Sequence, residues 1–119
     1  MALAGPRERA MPTGASHQQL GDMDRLMMQR CLELAMRAAD CGECPYAAVI
    51  CRAKEIVCQA TNSVRRDRDV IHHAEFLAIS RAFHKLGRVS LEDRAVYSNT
   101  EPCAYCCYAV RESRIGRVV

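Results

Sequence analysis

His73-Ala74-Glu75, then Ala95-Val96-Tyr97-Ser98, then Pro102-Cys103-Ala104-Tyr105-Cys106 is the run of sequence that decides how this chain is read. One imidazole and two thiols are a donor set that suits zinc with one coordination position left open, because a closed structural site needs a fourth protein ligand that the pattern lacks. Glu75, two residues from the imidazole, is not needed as a ligand and is free to move protons beside the metal. The residue types therefore point to a hydrolytic zinc centre in which His73, Cys103 and Cys106 hold Zn2+ and Glu75 is the catalytic group.

Outward from these residues, His73 to Leu86 reads as a helix ended by Gly87, and Ala95 to Ser98 as a strand leading into the cysteine pair. A further helix from about Cys103 to Glu112 precedes a strand-like segment, Ile115 to Val119. Both halves of the donor set fall at helix N-termini, where unpaired amides and the positive end of the helix dipole favour thiolate over thiol. Upstream, the apolar residues Met23, Leu26, Met27, Leu34, Ala35 and Ala38 recur at helical spacing between Asp22 and Cys41, with Gly42 as the stop. Ala47 to Cys51 and Ile56 to Thr61 flank the polar turn Arg52 to Glu55, which predicts an antiparallel hairpin. The order helix, hairpin, helix, strand, helix, strand implies an α/β fold in which a mixed sheet is covered by helices.

The chain has 119 residues, half of them apolar, enough to bury one small core. Residues 1–21 mix Gly, Pro and Ser without apolar periodicity and read as a flexible leader, which leaves 22–119 as the zinc-binding domain. No apolar stretch approaches the roughly 20 residues of a membrane span, and the first residues lack the apolar core of a signal peptide. The expectation is a cytoplasmic protein without a membrane partner. In that setting the eight cysteines are reduced thiols or metal ligands, not disulfides. A net charge of +3 neither requires nor forbids a nucleic-acid partner.

Gly42-Glu43-Cys44-Pro45, Asn62, His73-Ala74-Glu75 and Glu101 to Cys106 stand in an order and spacing that resemble the cytidine deaminase-like superfamily, nearest its guanine, nucleoside and tRNA adenosine deaminases. The resemblance covers most of Asp22 to Val119. It implies a three-layer α-β-α fold, zinc on His73, Cys103 and Cys106, and Glu75 as proton shuttle. It also implies that Asn62 hydrogen-bonds a nucleobase and that the backbone at Ala74 and Glu75 lines the same pocket. The activity implied is hydrolytic deamination of a nucleobase or nucleoside by a zinc-bound hydroxide, with release of ammonia. Tyr46, an aromatic where the tRNA enzymes carry an aliphatic residue, suggests base stacking and favours a small-molecule substrate. The stretch Ser113 to Val119 resembles the tRNA enzymes and keeps a tRNA adenosine deaminase as the alternative. The family usually continues into further C-terminal helices and another strand, so the expected fold is C-terminally short with an open sheet edge. Its members commonly oligomerise, which implies a homo-oligomer, most simply a dimer.

Several residues keep a plainer reading. Asn62 also suits a turn or cap, and Tyr46 suits packing in the hairpin. His72 lacks a glutamate two residues on and reads as a neighbour of the site. Cys41 and Cys44 lie too far in sequence from Cys103 and Cys106 for a common four-cysteine zinc ribbon. Arg65, Arg66, Arg68, Arg111, Arg114 and Arg117 suit phosphate contact, but they alternate with Asp67, Asp69 and Glu112 and read as solvated faces. A zinc module without turnover is the third expectation, from a different functional class.

Overall fold

The computed structural model describes residues 21–87 and 90–119; the expected leader, apart from Gly21, lies outside them. The elements are α1 (Asp22–Asp40), β1 (Ala47–Arg52), β2 (Glu55–Thr61), α2 (Val64–Asp67), α3 (Ala74–Leu86), β3 (Ala95–Ser98), α4 (Ala104–Ser113) and β4 (Arg117–Val118). Four strands form one sheet in the order β2-β1-β3-β4. β1 is antiparallel to β2 and to β3, while β3 and β4 run parallel across the connection made by α4. The sheet is mixed, as expected.

β1 begins with Ala47-Ala48-Val49-Ile50-Cys51, a continuous apolar run, because both of its faces are covered. Alternate side chains go to opposite layers. Ala47, Val49 and Cys51, with Tyr97 of β3, meet Met27, Cys31, Leu34 and Ala35 of α1. Ala48 and Ile50, with Val96 of β3, meet Ala74, Ala78, Ile79 and Ala82 of α3. Three alanines on that face of α3 let the helix lie close against the strands. α4 packs beside α3. The result is the three-layer α-β-α arrangement the resemblance implies. No helix among the described residues is long and apolar enough to cross a membrane.

α3 stops at Leu86, as expected, because Gly87, at φ +59, takes the left-handed conformation that closes the helix. Other boundaries differ from expectation. The last strand is Arg117–Val118, with Val119 still bonded to β3, and Gly116 before it passes so close to the backbone of Glu92 that a Cβ has no room. The four-residue α2 has no apolar periodicity to announce it. Glu43, in the connection after α1, accepts from the backbone N–H groups of Arg65 (3.3 Å) and Arg66 (2.6 Å) and so holds its N-terminus.

Register explains where a site must form. Ala47 pairs with Thr61 and Ala48 with Ser98, so the start of β1 and the ends of β2 and β3 lie at the same end of the strands. Tyr46, Asn62 and Asn99 meet there. Asn99 fixes that end, accepting from the Ala47 N–H at 2.9 Å and donating to the Pro45 carbonyl at 2.8 Å.

At the outer side of the sheet, buried Asp24 of α1 accepts from the Tyr97 hydroxyl at 2.5 Å and from both terminal nitrogens of Arg117 at 2.8 and 2.7 Å. The bond from Arg117, then that from Tyr97, holds the Asp24 carboxyl below its ordinary range. A depressed carboxylate stabilises the fold above its unfolded pKa, near 3.8, and that contribution fades as pH falls through the folded value. Asp24→Ala strands a buried hydroxyl and half of an ion pair, so denaturant unfolding at neutral pH shows a loss of about 2 kcal/mol. The difference between wild type and variant shrinks below about pH 4.

Candidate active site

The zinc-type donors converge because two helices begin beside each other. His73 is the N-cap of α3 and Cys103 the N-cap of α4, both with extended backbones, and Cys106 lies in the first turn of α4. Cys103 Sγ is 3.4 Å and Cys106 Sγ 3.7 Å from Nδ1 of His73. The three ligand atoms all lie within 4.8 Å of one another, the spacing of groups that can share one ion. Tyr105 packs its ring against His73 with centroids 4.7 Å apart and donates its hydroxyl to the Val70 carbonyl, fixing the imidazole from the side.

Glu75, only 3% exposed, sits behind this cluster. Its Oε1 accepts from the Ser98 hydroxyl at 2.6 Å, and its Oε2 lies 3.6 Å from Cys106 Sγ. Ser98 is the residue that sequence reading missed. The strand period puts Ser98 on the same face as Val96, but only the fold brings that face to α3, which carries Glu75.

Burial raises the Cys106 thiol well above its ordinary range, and the neighbouring Cys103 and Glu75 push it the same way. The expected preference of a helix N-terminus for thiolate is therefore outweighed at Cys106 by desolvation and by like charge. A cation among these donors reverses the balance, since a coordinating thiol is deprotonated outright. Two thiols, an imidazole and a buried carboxylate in one place fit zinc on chemical grounds.

A cavity of about 370 Å³ opens onto the cluster, and His73, Glu75 and Cys103 line it. The volume lies within the range of small-molecule sites. Asn62, Ala74 and Tyr46 line the same cavity, so the structure brings together all the residues singled out for substrate contact. Asn62 also fulfils its plainer reading, because its Oδ1 accepts from the Val64 N–H at 3.2 Å and starts α2. Cys44, Thr100 and Glu101 reach the cavity as well. Cys41 is exposed and, like Cys44, stands outside the three-residue donor group.

His72 points away from the donors. Its Nδ1 meets Asp67 at 2.8 Å and its Nε2 meets Asp69 at 3.1 Å, while Ser63 donates to Asp67 at 2.7 Å. The bonds from Ser63 and then His72 hold the Asp67 carboxyl down at about 2. This network ties the segment before His73 to α2, which fixes the backbone that presents the imidazole. Cys31, Cys51 and Cys58 are packing residues. Cys31 donates to the Tyr97 carbonyl, and burial pushes it up to about 11; Cys58 donates to the Ala78 carbonyl, and burial raises it too.

Comparison with known proteins agrees with this geometry. A family model described as the cytidine and deoxycytidylate deaminase zinc-binding region matches residues 22–119. A tRNA-specific adenosine deaminase from Aquifex aeolicus is 42% identical over 88 residues, covering 74% of this chain and 58% of that protein. The tRNA-specific adenosine deaminase of Bacillus subtilis is 38% identical over 96 residues, covering 81% of this chain and 60% of that protein. The chain thus spans about three-fifths of the length of these curated relatives. Among solved structures, guanine deaminase from Bacillus subtilis superimposes with a TM-score of 0.76 at 32% identity, over 79% of this chain and 60% of that one. A structure from a study of A-to-I editing by tRNA:A34 deaminases at the wobble position gives a TM-score of 0.76 at 31% identity, over 79% and 72%.

Because the donors come from two helices, metal removal releases a tie between α3 and α4. Chelation lowers the melting temperature by at least about 4 °C, the equivalent of roughly 1 kcal/mol in a domain of this size; an unchanged melt after verified zinc removal contradicts this. Matched from Asp22 to Val119 and carrying the donor cluster of a zinc centre, the chain belongs to the cytidine and deoxycytidylate deaminase zinc-binding family.

Proposed function

We propose that this domain hydrolytically deaminates a nucleobase or nucleoside, exchanging a ring amino group for oxygen from water and releasing ammonia. The observation that carries the reading is Glu75. It is a buried carboxylate held by Ser98, beside but outside the group formed by His73, Cys103 and Cys106, on the wall of a cavity sized for a base. Those three residues hold zinc, which when bound supplies a water acidic enough to lose a proton near neutral pH.

Glu75 takes a proton from the attacking water and delivers it to the ring nitrogen next to the carbon that bears the amino group. It then takes the second proton, from the hydroxyl added at that carbon, and passes it to the departing amine as the C–N bond breaks and the carbonyl forms, so one carboxylate serves each transfer in turn. Ser98 keeps Glu75 aimed into the cavity. The Asn62 oxygen is already engaged with Val64, so its amide nitrogen is the group offered to the base, with Tyr46 available to stack on the ring. The backbone at Ala74 forms the wall between them.

A second reading, deamination of adenosine in tRNA, is favoured by the identity of 42% and 38% to tRNA-specific adenosine deaminases. The reading also includes a cytoplasmic protein and a homo-oligomer, most simply a dimer. Exposed apolar side chains at Val70 and Tyr108 support association, and sizing of the purified protein tests it.

An ammonia-release screen over guanine, cytosine, adenine, their nucleosides and a tRNA anticodon stem identifies the substrate class. Glu75→Ala loses about a thousandfold or more in turnover while keeping its zinc. Ordinary turnover by that variant overturns the shuttle, and ammonia from no substrate leaves a zinc-binding module. Ser98→Ala, which frees the carboxylate without touching the metal donors, lowers kcat about tenfold with zinc content unchanged. For the tRNA reading, binding weakens as salt rises; absence of tRNA binding at low salt contradicts it.

A further inference from the structure

We propose that a basic groove beside the active-site cavity is a phosphate subsite, taking the phosphoester attached to the sugar of the base being deaminated. The proposal rests on the nucleobase reading of the adjoining cavity. The groove encloses about 480 Å³, and Arg37 from the end of α1 and Arg65 and Arg66 from α2 line it. Asn62 and Arg65 line both hollows, so the two adjoin at the residue assigned to the base.

The charge balance is one-sided. Glu43 is the carboxylate that lines the groove, and both its oxygens are engaged by the backbone N–H groups of Arg65 and Arg66. Its charge thus orders α2 and is directed at the backbone. The three guanidiniums remain exposed. Arg65 donates one nitrogen to the Gly42 carbonyl at 3.0 Å, and Arg66 donates Nε to Asp67 at 3.2 Å. Each is thereby anchored at one point of its fork, and the remaining N–H groups have no partner among the described residues. The side chain of Arg37 makes no hydrogen bond or ion pair among the described residues.

Deamination has no use for three cations outside the metal cavity, and a free base would leave the groove empty of any ligand. A guanidinium fork matches the tetrahedral oxygens of a phosphate, and three forks converging on one groove favour an anion over a neutral sugar. The phosphate belongs to a nucleoside monophosphate or to the backbone of an RNA strand; both present a phosphoester next to the sugar of the base.

The test is binding to zinc-loaded protein carrying Glu75→Ala, so that ligand is not consumed. Adenosine, guanosine and cytidine are compared with their 5′-monophosphates and with a labelled single-stranded oligoribonucleotide. The expected result is that a phosphorylated ligand binds about tenfold or more tightly than its nucleoside. Arg37→Gln and Arg66→Gln each remove most of that gain. Affinity for the oligoribonucleotide falls with salt at a log–log slope of about −2, which each substitution reduces by about 0.7. Arg37→Lys keeps the slope, and matching melting temperatures and zinc contents show that each variant is folded. Tight monophosphate binding assigns the phosphate to a nucleotide, and binding of the oligoribonucleotide alone assigns it to an RNA backbone. Equal affinity for nucleoside and phosphorylated ligands, or a gain that survives both glutamine substitutions, overturns the proposal. Arginine-dependent binding in a protein whose unsubstituted form releases no ammonia leaves the groove standing and removes the deaminase reading. Ammonia release with arginine-independent binding does the reverse.

Discussion

Glu75 and Cys106 are buried with their side chains 3.6 Å apart, and Cys103 and His73 close around the same point. Groups that become negative when deprotonated are costly together in a low-dielectric setting unless a cation joins them or protons remain on them. The rest of the architecture follows from that constraint. α3 and α4 must start side by side to bring the donors together, and both must lie on one face of the sheet. β3 must end where Ser98 can reach Glu75.

The surrounding connections have one task in common, which is to hold the site end of the strands in place through polar bonds. Asn99 ties the start of β1 to the end of β3, Glu43 holds the head of α2, and the group of Ser63, Asp67 and His72 fixes the approach to His73. The bonds of Asn99 and Glu43 join distant stretches of sequence and those of Asp67 are local, and together they hold in place the segments that carry the cavity lining. α1 has a separate role on the far side. Its Asp24 engages Tyr97 and Arg117, so the strand that leads to the site and the edge strand after it are both fixed to the same helix.

Much of this was legible in the sequence because local chemistry and periodicity agreed with the tertiary outcome. The unbroken apolar run Ala47 to Cys51 belongs to a strand covered on both faces, and the alanines of α3 recur at the spacing of one buried helix face. The zinc-type donors were legible from residue type and spacing alone, and their convergence needed only the two helix starts at His73 and Cys103. Asn62, Ala74 and Tyr46 came from resemblance, and sheet register accounts for their meeting in one cavity. What was not legible depended on pairings across the chain. Ser98 acquires its role only when β3 is set beside α3, and α2 exists because Glu43, far upstream, takes up its first N–H groups. The arginines looked like a solvated face, and Arg114 and Arg117 do pair with Glu92 and Asp24. Arg37 joins Arg65 and Arg66 only through the fold.

Cobalt substitution tests the central arrangement most directly, because Co2+ reports geometry and thiolate ligation in its absorption spectrum while occupying zinc-type sites. The account predicts a tetrahedral spectrum with a thiolate charge-transfer band that weakens in Cys103→Ser and in Cys106→Ser and is unchanged in Glu75→Ala. A spectrum without thiolate bands, or one altered by Glu75→Ala as strongly as by either cysteine substitution, would contradict the division between metal donors and proton carrier.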